Sequence, residues 1–120
     1  MINIYITGKV KKREFIKYKN INYMEPYNYA KGLNILDENI YASIDLTLLN
    51  KADLIILVLD SNEVRNSLFE IGYCFAKNKP IIILDLMKDS TKYNFTKQFA
   101  SSIFRNFQEL NDFIGRLSND

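Results

Sequence analysis

Two short apolar runs constrain this chain more than any other feature: LIILVL from Leu54 to Leu59 and IIIL from Ile81 to Leu84. Each is built from branched aliphatic residues and bounded by polar or turn-forming ones, the pattern of a strand buried on both faces. Such strands lie parallel, and parallel neighbours need a crossover connection, usually a helix. The intervening stretch, DSNEVRNSLFEIGYCFAKNKP from Asp60 to Pro80, supplies it. Asn62 can cap the helix, and Asn78 and Pro80 are stop signals. The unit is strand, helix, strand. Glu70 sits in mid-helix, after Phe69 and before Ile71, Gly72 and Tyr73. A carboxylate in such company calls for a partner or a purpose.

The rest of the chain repeats the alternation. Ile2 to Thr7 is β-rich and alternating, a first strand, and Gly8 falls where it ends. Glycine there lets the backbone turn or come close to a ligand, and the carboxyl ends of strands are where open α/β sheets bind ligands. Lys9 to Lys19 is basic and predicts a short, partial helix, with Phe15, Ile16 and Tyr18 as its apolar members. Ile21 to Glu25 predicts a second strand stopped by Pro26, and Pro26 to Leu36 a loop. A helix follows from Asp37 or Glu38 to about Leu49, with Ile40, Ile44 and Leu48 at helical spacing. Strand three is Leu54 to Leu59 and strand four Ile81 to Leu86. Beyond the loop Lys88 to Lys92, Asn94 to Ala100 reads as a short helix and Ser102 to Phe104 as a short edge strand. The last helix, about Phe107 to Leu117, places Phe107, Leu110, Phe113, Ile114 and Leu117 on one face with Asn106 as its cap. The expected fold is a single α/β domain over residues 1–120. It is a three-layer sandwich around a mostly parallel, Rossmann-like (flavodoxin-like) sheet of four to five strands.

Composition narrows the function classes. At 120 residues, 48% apolar and 25% charged, the chain can bury a real core and is not disordered. A net charge of +2 gives no case for nucleic acid as a partner. The lone Cys74 rules out an internal disulfide and suits a reducing, cytoplasmic setting. No signal peptide or membrane-spanning run is visible. The chain has no histidine, which removes the commonest general base and metal ligand; no metal or cofactor is expected. Neither G-x-G-x-x-G nor a P-loop is present.

Candidate chemistry therefore rests on carboxylates, Tyr, Lys or Cys74. Glu70, partly desolvated on its helix, would have a raised pKa unless paired. It could attack an anomeric carbon or stabilise an oxocarbenium-like transition state. It could equally be a solvated helix residue paired with Lys77 or Arg65. Asp45 precedes strand three much as Glu70 precedes strand four, so the two acids can converge near the strand ends. The alternative is an exposed helix acid. Tyr5 can hold Glu70 in place or simply fill the core. Lys9, Lys11, Lys12 and Arg13 can meet a phosphate or form a solvated face. Cys74 reads as core.

Several of these segments resemble the nucleoside 2-deoxyribosyltransferase family. IYITG (Ile4 to Gly8) is similar to the family's first strand and its tyrosine. SIDLTLLNKADLIILVLD is similar to the segment carrying its aspartate, here Asp45. FEIGYCFAKNKPIIIL (Phe69 to Leu84) resembles the nucleophile segment and puts Glu70 at the nucleophile. YNFTKQFASSIFRNFQEL (Tyr93 to Leu110) resembles the last third, with Asn94 on an asparagine that reaches a neighbouring subunit's site.

The resemblance implies that Glu70 attacks C1′ of a deoxyribose, releasing the base, and that a second base or water then takes the sugar. Asp45 would hold the sugar hydroxyls and Tyr5 the nucleophile. Gly8, Lys9, Glu63, Asn66 and Ser67 are the candidate substrate contacts, joined by Asn94 from a neighbouring subunit in a homo-oligomer. The family's aspartate six residues before the nucleophile, which handles the base's proton, is Val64 here, beside Glu63. A related branch that hydrolyses deoxynucleoside 5′-monophosphates also lacks it, and Lys9 to Arg13 would suit a phosphate. Two other readings are a nucleotide-binding or sensing module with a lapsed site and a TIR-like NAD glycohydrolase.

Overall fold

The computed structural model describes residues 1–8, 14–25, 38–60 and 64–119. Five strands form one sheet: β1 (Ile2–Thr7), β2 (Ile21–Met24), β3 (Leu54–Leu59), β4 (Ile81–Asp85) and β5 (Ser102–Phe104). Their order is β2-β1-β3-β4-β5, and every pairing is parallel. This is the flavodoxin-like order, with the strand sequence reversing direction between β1 and β3. The helices are α1 (Glu38–Lys51), α2 (Arg65–Ala76), the single turn α3 (Asn94–Lys97) and α4 (Phe107–Asn119).

The two-residue period of the strands sorts their side chains into two cores. Tyr5, Ile55, Leu57 and Ile83 face one side, where Leu48 and Leu49 of α1 and Ile71 and Cys74 of α2 cover them. Ile4, Ile6, Ile56 and Leu84 face the other, beneath Leu110 and Ile114 of α4. All six residues of β3 are buried, as a central strand of a covered parallel sheet requires. The three layers, the parallel sheet and the apolar face of α4 agree with the expectation from sequence.

Local departures have visible causes. Of the expected helix from Lys9 to Lys19, Glu14 lies in a 3-10 turn, and from Phe15 to Lys19 the chain is bend, irregular backbone and turn. Its polar groups are taken up by α4 instead. Asn111 Oδ1 accepts from the Ile16 N–H at 3.1 Å, Asn111 Nδ2 donates to the Glu14 carbonyl at 2.9 Å, and Tyr18 Oη donates to the Asn111 carbonyl at 2.8 Å. Helix α2 starts at Arg65 with Val64 as its N-cap and no side-chain capping bond. Burial of Val64 against the core outweighs the preference for a polar cap there. Its other end is as expected: Asn78 adopts a left-handed φ of 58° and stops the helix, and the Lys79 N–H reaches back to the Cys74 carbonyl at 2.9 Å. The helix expected over Asn94 to Ala100 is shorter, a 3-10 turn over Thr91–Tyr93 running into α3. Asn106 does cap α4, accepting from the Glu109 N–H at 2.8 Å and donating to Glu109 Oε1 at 3.0 Å. The expected loop Pro26 to Leu36 and the cap Asn62 lie outside the described residues.

Candidate functional site

The site begins with two residues of β1. Tyr5 and Thr7 stand two apart and so point to the same face of the sheet. Thr7 is the last residue of the strand. Gly8 follows at φ 96°, and a Cβ there would lie 2.4 Å from the Val58 carbonyl oxygen of β3. Only glycine allows that turn, so Gly8 shapes the rim of the site through its backbone.

Helix α2, entered from β3, brings Glu70 over these two residues. The Tyr5 hydroxyl donates to Glu70 Oε2, and the Thr7 hydroxyl donates to Glu70 Oε1 at 2.6 Å. Thr7 Oγ1 also lies 2.6 Å from Ser67 Oγ, one turn back along α2. Tyr5 is fully buried and Glu70 is 4% exposed. The helical period sets this company. Val64, Ser67, Ile71 and Cys74 share the buried face with Glu70, whereas Leu68, Phe69 and Phe75 lie on the opposite, exposed face. Phe69, next to Glu70 in the sequence, is thus turned away from it, and hydroxyls from a distant strand stand against the carboxylate instead.

The electrostatics follow from that burial. Desolvation pushes the Glu70 carboxyl above the ordinary carboxylate range. The bonds from Thr7 and Tyr5 pull it back down, and the charge of Asp45 pushes it up again. Asp45, half-buried on α1, is itself raised by burial. Tyr5 is pushed far up by burial and then by Glu70, so it stays a protonated donor. Burial lifts the Cys74 thiol to about 11, which keeps it a neutral core residue.

The structure thus joins Glu70 to Tyr5 at the switch point between β1 and β3, where parallel sheets hold ligands, with Asp45 near enough for its charge to act on both. Ser67 joins them, although as a buried partner of Thr7. Thr7 was not among the candidates, although its place two residues after Tyr5 was a usable signal. Asn66 lies in the first turn of α2, and its side chain is outside the described residues, as are Lys9 and Glu63. Asn94 opens α3 as an exposed residue and takes no part in the Glu70 group; its carbonyl accepts from Gln98 Nε2 at 3.3 Å. A cavity of about 360 Å³ on the other face of the sheet, along β2, is lined by Phe15, Tyr18 and Tyr23 with Lys17 and Glu25 and contains none of the candidates. Among the described residues, no group of three or more acidic, Cys or His side chains could hold a metal, and no helix is long and apolar enough to cross a membrane.

Fold and site together define a flavodoxin-like parallel α/β protein with a buried, hydroxyl-bonded glutamate at the switch point. In its fold the chain is similar to a 2-deoxyribosyltransferase from the psychrotolerant bacterium Bacillus psychrosaccharolyticus, a biocatalyst for nucleoside synthesis. The TM-score is 0.74 over 92% of this chain and 90% of that one, at 12% identity. No protein-family model matches the sequence, and no curated protein does. The structural match accords with the resemblance read from the sequence segments, and at this identity it is a likeness of fold.

Proposed function

We propose that this protein cleaves the N-glycosidic bond of a (deoxy)nucleoside or nucleotide, with Glu70 as nucleophile. The observation that carries the reading is the buried Glu70 carboxylate, bonded on one oxygen by Tyr5 and on the other by Thr7, within reach of the charge of Asp45. A free Glu70 lone pair attacks C1′ of the sugar. The C1′–N bond breaks, and its electron pair leaves with the base. The sugar stays as an ester on Glu70 until water or a second base attacks C1′ and restores the carboxylate. Asp45, as the second acid, hydrogen-bonds the sugar hydroxyls. Tyr5 keeps its proton throughout and acts as an orienting donor.

The departing base also needs a proton. Val64, at the position where the resembled family carries an aspartate, is 3% exposed and packed into the core, so it supplies none. That observation favours water as acceptor and bases that leave as stable anions or are protonated by solvent. It also supports a second reading, a nucleotide-binding module whose chemistry has lapsed.

A homo-oligomer is part of the first reading. Leu68, Phe69, Gly72, Phe75 and Ala76 form an exposed, uncharged stripe on α2. Phe75 meets Phe99 edge to face at 4.8 Å between ring centroids and Phe99 meets Phe95 in the same way at 5.2 Å, so the apolar surface runs on to α3, where Asn94 begins. We assign this face to a second copy of the chain.

The test is chromatographic. Deoxynucleosides, their 5′-monophosphates and NAD are incubated with the protein, with and without a free acceptor base. Free base from a deoxynucleoside or its monophosphate is expected, with release falling at acid pH as Glu70 takes up a proton. Glu70→Gln should reduce release by a factor of a thousand or more while circular dichroism is unchanged, on the order of 4 kcal/mol of lost transition-state stabilisation. Unchanged turnover in that variant rejects the nucleophile assignment, and ligand binding without any product favours the lapsed module. Nicotinamide release would point to NAD as substrate.

A further inference from the structure

Thr7 is the second hydroxyl on the Glu70 carboxylate. It is buried, with Oγ1 2.6 Å from Glu70 Oε1 and 2.6 Å from Ser67 Oγ. A threonine hydroxyl has one proton to give. When that proton goes to an ionised Glu70, Thr7 must accept from Ser67. The chain then runs from Ser67 Oγ–H to Thr7 Oγ1, and from Thr7 Oγ1–H to Glu70 Oε1. We propose that Thr7, oriented by Ser67, is a positioning residue that keeps Glu70 ionised and fixes which of its lone pairs face the substrate. This inference rests on the reading of Glu70 as nucleophile.

The geometry gives Thr7 a part that Tyr5 cannot fill. Tyr5 covers Oε2; Thr7 covers Oε1. Two donors from one face of one strand, one on each oxygen, fix the rotation of the carboxylate plane. Each oxygen keeps a lone pair that the strand does not use, and those are the ones open to C1′. Without Thr7, Oε1 would lose its donor in a site where a buried anion has few alternatives. The acceptor role of Thr7 also depends on Ser67, which is 6% exposed and one helical turn from Glu70 on the same buried face.

Among the described residues, the titratable groups that face Glu70 are Tyr5 from β1, Asp45 from α1 and Cys74 from its own helix. Tyr5 and Cys74 hold their protons well above neutral pH. Strand β3 presents only apolar side chains, and Asp85 of β4 is tied to Lys97 and Arg105. Asp45 is therefore the neighbour whose charge changes alongside that of Glu70, and the hydroxyl chain is the main opposing influence.

The test uses the whole chain labelled with ¹³C at glutamate side-chain carboxyls, with the Glu70 resonance assigned by its loss in Glu70→Gln. Its pH titration is compared in the wild type, Thr7→Val, Thr7→Ser and Ser67→Ala. Thr7→Val keeps the β-branched shape and removes the donor, so its midpoint should move to higher pH. Thr7→Ser should restore it, and Ser67→Ala should move it the same way by less. On the acid limb of base release, Thr7→Val should lower the rate about tenfold, the effect of losing one hydrogen bond to a charged group. A Thr7→Val midpoint equal to the wild type overturns the proposal. So does a folded Thr7→Ser that titrates like Thr7→Val. The midpoints are read without substrate, so they decide the role of Thr7 separately from the activity of Glu70: a wild type that releases no base rejects the nucleophile reading alone.

Discussion

At the scale of single residues, the protein places an acid where its charge is costly and then offsets part of that cost with hydroxyls. Glu70 and Asp45 both have folded-state pKa values raised by burial, and the charge of Asp45 pushes Glu70 further up. The sign of the effect on stability follows from linkage. A folded state with the raised pKa binds more protons than the unfolded chain between the two values. The stabilisation is therefore complete below the ordinary carboxylate range and is lost as pH rises through the raised values. Unfolding in urea should show a stability that declines from mildly acid to neutral pH. In Glu70→Gln the decline should be shallower, with the neutral side amide held among Tyr5, Thr7 and Ser67. An unchanged slope in that variant would mean that Glu70 titrates as an exposed acid. The residue itself was legible: Glu70 stood out as a carboxylate on a helix between buried strands. Its partner Thr7 was not, because the contact joins positions 63 residues apart and depends on where α2 lands on the sheet.

Elements add a second buried acid with the opposite behaviour. Asp85 ends β4 and is fully buried. Ser90 donates to its Oδ2 at 2.5 Å, Lys97 of α3 lies 3.0 Å away, and Arg105, just after β5, 2.7 Å. Burial alone would raise its carboxyl, but the bonds from Ser90, Lys97 and the Met87 N–H and the charge of Lys97 hold it below the usual range. One carboxylate thus ties together the end of β4, the loop after it, the short helix α3 and the edge strand β5. This explains how α3, a helix of four residues, keeps its place. Asp85→Ala should cost about 2 kcal/mol in urea unfolding, less than for a fully buried pair because Arg105 is more than half exposed. Amide exchange should quicken chiefly between residues 86 and 106. Uniform quickening across the sheet would place the role of Asp85 in global stability instead. The sequence marked β4, α3 and β5 in outline, yet α3 came out shorter than its polar and aromatic pattern suggested. Side-chain anchoring, which periodicity does not report, sets that segment.

For the whole molecule, the sheet order and the two apolar cores account for a stable three-layer protein, and the remaining apolar surface on α2 and α3 is what a second copy would cover. Phe69 is 70% exposed and makes no ring contact in the described structure. Light scattering should give a mass above the 14.1 kDa of one chain. Phe69→Glu, which puts a charge on that face without touching a core, should lower the mass to that of the monomer and leave circular dichroism unchanged. A wild type that is monomeric at concentrations of tens of micromolar, the range in which weak specific contacts already form, would remove the stripe as an interface.

The sequence by itself determined where most of the elements lie. The alternation of β1, the unbroken apolar run of β3, the stop at Asn78 and the 3.6-residue apolar face of α4 are strong local signals, so these elements and the short β5 could be read directly. It also marked Glu70, Asp45 and Tyr5 as candidates, because acids and a tyrosine beside buried strands are few. Only the tertiary structure decided which groups meet. The parallel register of β1 on β3 and the landing of α2 over that pair bring the Tyr5 and Thr7 hydroxyls to the two oxygens of one carboxylate. It also decided that residues 15–19 remain irregular, since Asn111 of α4 takes the hydrogen bonds that a helix would have made for itself. Local patterns report what a segment prefers; contacts across the sheet, made between residues far apart in the chain, decide which preference is satisfied and what chemistry the satisfied groups can do.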